Sequence, residues 1–111
     1  MTSPVQPVKG FVLGKFMPPH QGHVFLCDFA RNACQSLTIL VCSLPDDPIP
    51  GELRHRWMRE LFPECDVRWC SEILPQAPDD HPDFWAIWSD VVSRYGGSPD
   101  AVFASEPYGL R

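Results

Sequence analysis

Gly14-Lys15-Phe16-Met17-Pro18-Pro19-His20-Gln21-Gly22-His23 is the stretch on which the reading of this chain turns. On its amino-terminal side, Val8–Leu13 is short and β-rich, with Gly10 inside it, and reads as a strand. On its carboxyl side, Gly22 to Cys34 turns helical, with Leu26, Phe29, Ala30 and Ala33 at three- and four-residue spacing on one face. The stretch itself, broken by Pro18 and Pro19, is a loop that ends where the helix begins. A helix start directs backbone N–H groups and a partial positive charge at whatever lies before it, so this arrangement suits an anion. Gly22 lets the backbone approach such a ligand closely.

Further along, Ser36–Ser43 is a nearly continuous apolar run, as expected of a buried parallel strand. Pro45-Asp46-Asp47-Pro48 breaks the chain, and the two aspartates are expected to cap a turn. Gly51–Phe62 reads as a second helix whose buried stripe is Leu53, Trp57 and Leu61. Asp66–Ser71 is a third short strand. A Pro- and Asp-rich loop leads to a third helix over Asp83–Tyr95, with Phe84, Ile87, Trp88, Val91 and Tyr95 on one stripe and Gly96-Gly97 closing it. Ala101–Ala104 is a fourth strand. The alternation predicts an α/β, Rossmann-like parallel sheet of about four strands with helices on both faces. Residues 1–7 are expected to form a flexible N-terminal tail, and 8–111 a single domain. Ligands of such sheets sit beyond the carboxyl ends of the strands, which singles out four loops: Gly14–Gly22, Pro45–Gly51, Pro75–Pro82 and Ser105–Gly109.

Composition narrows the function. The 111 residues carry a formal net charge of -5, which argues against DNA or RNA as partners. No apolar run approaches the roughly 18 residues of a membrane span. The start, MTSPVQPVKG, lacks a signal peptide's apolar core. The five cysteines form no CxxC pair, which argues against a disulfide framework or a zinc site and for small buried thiols in a reducing cytoplasm.

His20 and His23 flank the helix start, so both imidazoles could reach one phosphate and stabilise charge developing on a transferring phosphoryl group. An isolated H-x-x-H pair reads more readily as two surface histidines, and as a zinc site it lacks a third ligand. The surrounding strand, Pro-containing loop and helix favour the phosphate reading. Trp85 lies off the apolar stripe of its helix, where an indole can stack on a cationic pyridinium or simply pack a neighbouring loop. Trp88 lies on the stripe and reads as core. Arg54 and Arg56 either approach ligand phosphates or form a solvated helix face, with Glu52 and Arg56 paired; the solvated face is preferred. Asp79, Asp80 and His81 precede Pro82 and are read as caps of the third helix, with Asp80 or His81 also within reach of a substrate. His55 is expected on the helix surface.

G-K-F-x-P-x-H-x-G-H resembles the signature of the HxGH nucleotidyltransferase superfamily and, within it, the NadR-type nicotinamide-nucleotide adenylyltransferases. Leu53-Arg54-His55-Arg56-Trp57-Met58 is similar to that family's arginine-bearing second helix, Phe84-Trp85-Ala86-Ile87-Trp88-Ser89 to its W-x-x-W-S segment, and Val102-Phe103-Ala104-Ser105-Glu106 to its strand-to-loop S-E. The resemblance runs from about Val8 to Tyr108.

It implies adenylyl transfer from ATP to nicotinamide mononucleotide, giving NAD and pyrophosphate, with either the nicotinamide or the nicotinate nucleotide as substrate. His20 and His23 would be the catalytic pair and would bind the ATP phosphates together with Gly22. Gly14, Lys15 and Phe16 would line the nucleotide pocket with their backbone, and the Lys15 amine would either bind phosphate or remain solvated. Trp85 would hold the nicotinamide ring, with Ser105, Glu106, Arg54 and Asp80 as further substrate contacts. Mg²⁺ would arrive with the ATP phosphates, without a dedicated protein cage. The family continues into a further strand and an I-S-x-T-x-I-R segment for the β- and γ-phosphates, which Tyr108-Gly109-Leu110-Arg111 does not match. The chain is therefore expected to be an N-terminal part, truncated before the last strand and helix, weak in turnover on its own and prone to form a homo-oligomer through an uncovered sheet edge. The alternatives are another HxGH enzyme, such as a cytidylyltransferase, and a non-catalytic nucleotide-binding module.

Overall fold

The structure, a computed structural model, describes residues 9–104. The expected tail over residues 1–7 and the Ser105-Glu106 pair lie outside the described residues.

Strands β1 (Lys9–Gly14), β2 (Ser36–Cys42), β3 (Asp66–Cys70) and β4 (Ala101–Ala104) alternate with helices α1 (Gln21–Ala33), α2 (Gly51–Leu61) and α3 (Phe84–Gly96). They form one four-stranded sheet in the order β3-β2-β1-β4. All three pairings are parallel: β1 runs beside β2 from Lys9↔Ser36 to Gly14↔Val41, and beside β4 from Gly10↔Ala101 to Leu13↔Ala104. Element limits follow the sequence reading to within one or two residues, the usual uncertainty of helix and strand ends.

Strand side chains alternate between two cores because successive residues point to opposite faces. Phe11, Leu13, Leu40 and Cys42 pack with Phe84, Trp88 and Val91 of α3. Val12, Ile39 and Val41 pack with Cys27 and Ala30 of α1 and Met58 of α2. Helices therefore cover both faces, as predicted. The third helix keeps its predicted stripe and ends on Gly97 at φ 62, whose N–H bonds Ser93 O. Only a left-handed residue closes a helix this way without strain, which is why a glycine stands there.

The buried stripes of the first two helices differ from those expected. On α1 the buried residues are His23, Cys27 and Ala30, continued by Cys34, whereas Phe29 is 57% exposed. Small side chains on the inner line let the helix lie close to the sheet, and the larger Phe25 and Phe29 turn outward. On α2 the inner line is Arg54 and Met58, continued by Phe62, and Leu61 is exposed. An arginine occupies an interior position there because polar groups meet it, as described next. His55 is also more engaged than a surface histidine. Its Nε2 lies 3.0 Å from Val67 O, and its ring stacks at 6.2 Å on Trp69, tying α2 to β3.

Candidate functional site

The chain steps outward from β1 to β2 to β3, then crosses back to place β4 on the other side of β1. Helix α1, which follows β1, and helix α3, which precedes β4, pack on opposite faces of the sheet, so the strand order reverses at β1 and the crevice of such a switch point falls at the carboxyl end of that strand. The Gly14–His23 stretch sits at this point.

His20 is the N-cap of α1, and its Nδ1 accepts the Gly22 N–H at 3.0 Å. His23 reciprocates, its Nδ1 accepting the His20 backbone N–H at 3.1 Å. The two rings stack with centroids 3.7 Å apart. His23 is buried, while His20 is exposed. A neutral imidazole that accepts at Nδ1 carries its proton on Nε2, so this bonding pattern makes each ring an Nε2–H donor. The first turn of α1 holds no acidic residue, which leaves the positive end of the helix dipole uncompensated. Gly22 has a steric reason besides ligand approach: a Cβ there would lie 2.8 Å from His20 Cε1.

Phe16 is completely buried, adopts φ 52, and meets the His23 ring edge-on at 4.9 Å. A phenylalanine in the left-handed region costs about 1–2 kcal/mol and persists only where its surroundings hold it. Within this loop the Lys15 carbonyl is turned to α2, where it accepts Arg54 Nη1 at 2.7 Å.

The preferred reading of Arg54 as part of a solvated helix face is corrected, since its side chain is 0% exposed. Nε donates to Ile49 O at 3.0 Å, Nη1 to Lys15 O and to Cys42 O at 3.1 Å, and Nη2 to Asp47 Oδ2 at 2.7 Å. Four of its five N–H groups are thereby used. Asp47 also accepts the Leu44 N–H at 2.9 Å, capping its turn as expected, and Lys15 Nζ stands 3.6 Å from its Oδ1. Burial pushes the Asp47 carboxyl up, but the Leu44 N–H, the Arg54 guanidinium and the Lys15 ammonium outweigh it and hold it below the ordinary range. Sequence reasoning had no role for Asp47 beyond the turn. No sequence signal marked it, because its partners Arg54 and Lys15 are brought to it only by the fold.

A cleft of about 520 Å³ runs between α3 and β4, from Trp85, Leu13 and Ala104 at the carboxyl end of the strands to Ser93 and Pro99 at the other. Trp88 belongs to the core and donates Nε1–H to Pro75 O at 2.9 Å. Trp85 is 50% exposed and meets Phe84 edge-on at 4.8 Å, so one part of the indole is held while the rest faces the cleft. Asp80 is occupied in its own turn: Oδ2 accepts the N–H groups of Gln76 and Ala77. His81, not Asp80, serves the start of α3, its Nδ1 accepting the Asp83 N–H at 2.9 Å. Arg56 is exposed, as preferred from the sequence. Among the described residues no three His, Cys, Asp or Glu side chains gather as a metal site, and no helix is long and apolar enough to cross a membrane.

No family model matches the chain. The trifunctional NAD biosynthesis/regulator protein NadR of Escherichia coli (strain K12) is 25% identical over 116 aligned positions, which take in 87% of this chain and 28% of that protein. A crystal structure of a NadR protein in complex with NAD and AMP-PNP superposes with a TM-score of 0.59 at 21% identity, over 80% of this chain and 28% of that one. Another, of a NadR protein in complex with NR, gives a TM-score of 0.59 at 16% identity, over 93% of this chain and 38% of that one. The chain has the α/β fold seen in these NadR structures and spans between 28% and 38% of the length of the proteins it matches.

Proposed function

We propose that this chain is a nucleotidyltransferase domain that binds MgATP on the Gly14–His23 loop and transfers AMP to a pyridine mononucleotide, nicotinamide mononucleotide in the first instance. The observation that carries this reading is the stacked His20–His23 pair, two neutral Nε2–H donors at an uncompensated helix N-terminus where the sheet changes direction. It is supported by the likeness to proteins named for NAD biosynthesis and crystallised with NAD, AMP-PNP and NR.

In the proposed reaction a phosphate oxygen of the mononucleotide attacks the α-phosphorus of ATP, the α–β P–O bond breaks, and pyrophosphate leaves with the electron pair. The protein forms no covalent bond. His20 and His23 donate Nε2–H to the phosphate oxygens on which charge accumulates, and the α1 dipole adds to that field. Because both rings are fixed by the cap before ligand arrives, they need no reorganisation during transfer. Mg²⁺ enters as part of MgATP. Asp47 suits no metal role, since its carboxylate is committed to Arg54, Leu44 and Lys15. Lys15, at 29% side-chain exposure, is the cation placed to exchange Asp47 for a ligand phosphate. Trp85 offers the face for the pyridinium, which favours a pyridine nucleotide over a cytidylyl acceptor. Five free thiols fit a reducing cytoplasm as the compartment.

The test is product formation. MgATP and nicotinamide mononucleotide should yield NAD and pyrophosphate in equal amounts, however slowly, and His20→Ala should abolish both. Nucleotide binding without either product would reduce the reading to a binding module.

A further inference from the structure

We infer that Arg54 is a positioning residue that sets the geometry of the phosphate loop from beneath it. Its guanidinium bridges the ends of two neighbouring strands just past their last shared rung. Gly14 pairs with Val41, and the carbonyls Arg54 holds are the next ones along each strand, Lys15 and Cys42. The same group holds Ile49 O and Asp47 in the loop between β2 and α2. One buried side chain of α2 thus fastens both loops at this corner of the site.

The loop's shape depends on that fastening. Phe16 follows Lys15 directly and sits at φ 52, a conformation its own chemistry disfavours. With the Lys15 carbonyl pinned, the Phe16 ring is turned inward to complete burial and places its edge on His23, which in turn stacks on His20. The path from Arg54 to the imidazoles is a series of direct contacts. Arg54 also compensates Asp47 at 2.7 Å, so Lys15, the more distant partner at 3.6 Å, can leave Asp47 without stranding a buried carboxylate. Lysine could not replace it, because a single ammonium cannot span three carbonyls and a carboxylate spread across a planar fork.

The ligand arm of the test rests on the adenylyl-transfer reading, and the loop arm does not. Arg54→Lys is compared with Met58→Ala, which opens a cavity one turn further along the same buried line and touches none of the loop carbonyls. Amide hydrogen exchange over residues 15–23, ¹⁵N-detected imidazole spectra of His20 and His23, and MgATP affinity are measured for each. Arg54→Lys should speed loop exchange and weaken MgATP by at least about tenfold each and blur the Nδ1/Nε2 distinction, whereas Met58→Ala should lower the melting temperature without these changes. Wild-type loop exchange in Arg54→Lys, or equal loop loosening in Met58→Ala, would overturn the inference. If the wild-type chain binds no MgATP, the adenylyl-transfer reading fails, and the exchange and imidazole arms decide the inference alone. If Arg54→Lys does not fold, Asp47→Asn takes its place, and unchanged loop exchange in that variant overturns it equally.

Discussion

His23 Nδ1 accepts the backbone N–H of His20 at 3.1 Å while the His20 ring stacks on it at 3.7 Å, so each histidine holds the other at the start of α1. The residues proposed to act on phosphate are therefore also the helix cap. Structural and chemical roles separate by substitution. His20→Asn keeps an N-cap acceptor and should stay within about 1 kcal/mol of wild type in stability. It should nonetheless lose about 10²–10³ in transfer rate, because the Nε2–H is gone. Urea unfolding alongside single-turnover kinetics checks this, and a fully active His20→Asn would remove His20 from the mechanism.

Gly22→Ala probes the space beside His20. Alanine is the better helix former by up to about 1 kcal/mol, so on propensity alone the variant should gain stability. Its Cβ, however, would sit 2.8 Å from His20 Cε1 and displace the ring. The expected result is near-unchanged thermal stability with MgATP affinity and turnover strongly reduced. Wild-type affinity would show that the ring has room to move without consequence.

Glu72 supplies a pH-dependent part of the fold through its contacts with α3. Its carboxylate accepts Arg94 through two N–H groups and Tyr95 Oη–H, and the Arg94 contact, followed by that from Tyr95, lowers its pKa from 4.5 to about 2. A depressed folded-state pKa contributes stability that is complete above the unfolded value and is lost as pH falls toward the folded one. Wild type should therefore exceed Glu72→Gln in stability by a constant margin above about pH 5, and that margin should vanish between pH 4.5 and about 2. The margin should be small, since both partners are partly exposed. A margin independent of pH would contradict the assignment.

Cys27 should be chemically silent in the folded chain. Burial, followed by the neighbouring Cys65 and Asp28, pushes its thiol up to about 12, so almost no thiolate exists near neutrality. Mass spectrometry after iodoacetamide treatment at pH 8 should find Cys27 unmodified in native protein and modified in urea. Native-state labelling would mean that α1 opens readily.

The alternation of strands and helices was legible because strand-length apolar runs such as Ser36–Ser43 and a stripe such as Phe84, Trp88 and Val91 leave strong periodic signals. The His20–His23 pair was legible from its place between a strand and a helix. Arg54 was not, because a buried arginine has no sequence pattern of its own; its interior position depends on the carbonyls of Ile49 and Cys42 just before it and on that of Lys15, 39 residues earlier. Phe29 misled for the opposite reason. It sits at helical spacing with Leu26 and Ala33, yet the line of the helix that meets the sheet carries the small Cys27 and Ala30. Trp85 was singled out for being off the stripe, and it is half exposed along the cleft.

The most direct measurement follows tryptophan fluorescence while the chain, in saturating MgATP analogue, is titrated with nicotinamide mononucleotide, with Trp85→Ala alongside. The account predicts saturable quenching in the wild type and its loss in Trp85→Ala, with the analogue still bound by both. Saturable quenching that persists in Trp85→Ala, or no response to the mononucleotide while the analogue binds, would contradict the pyridine-nucleotide assignment.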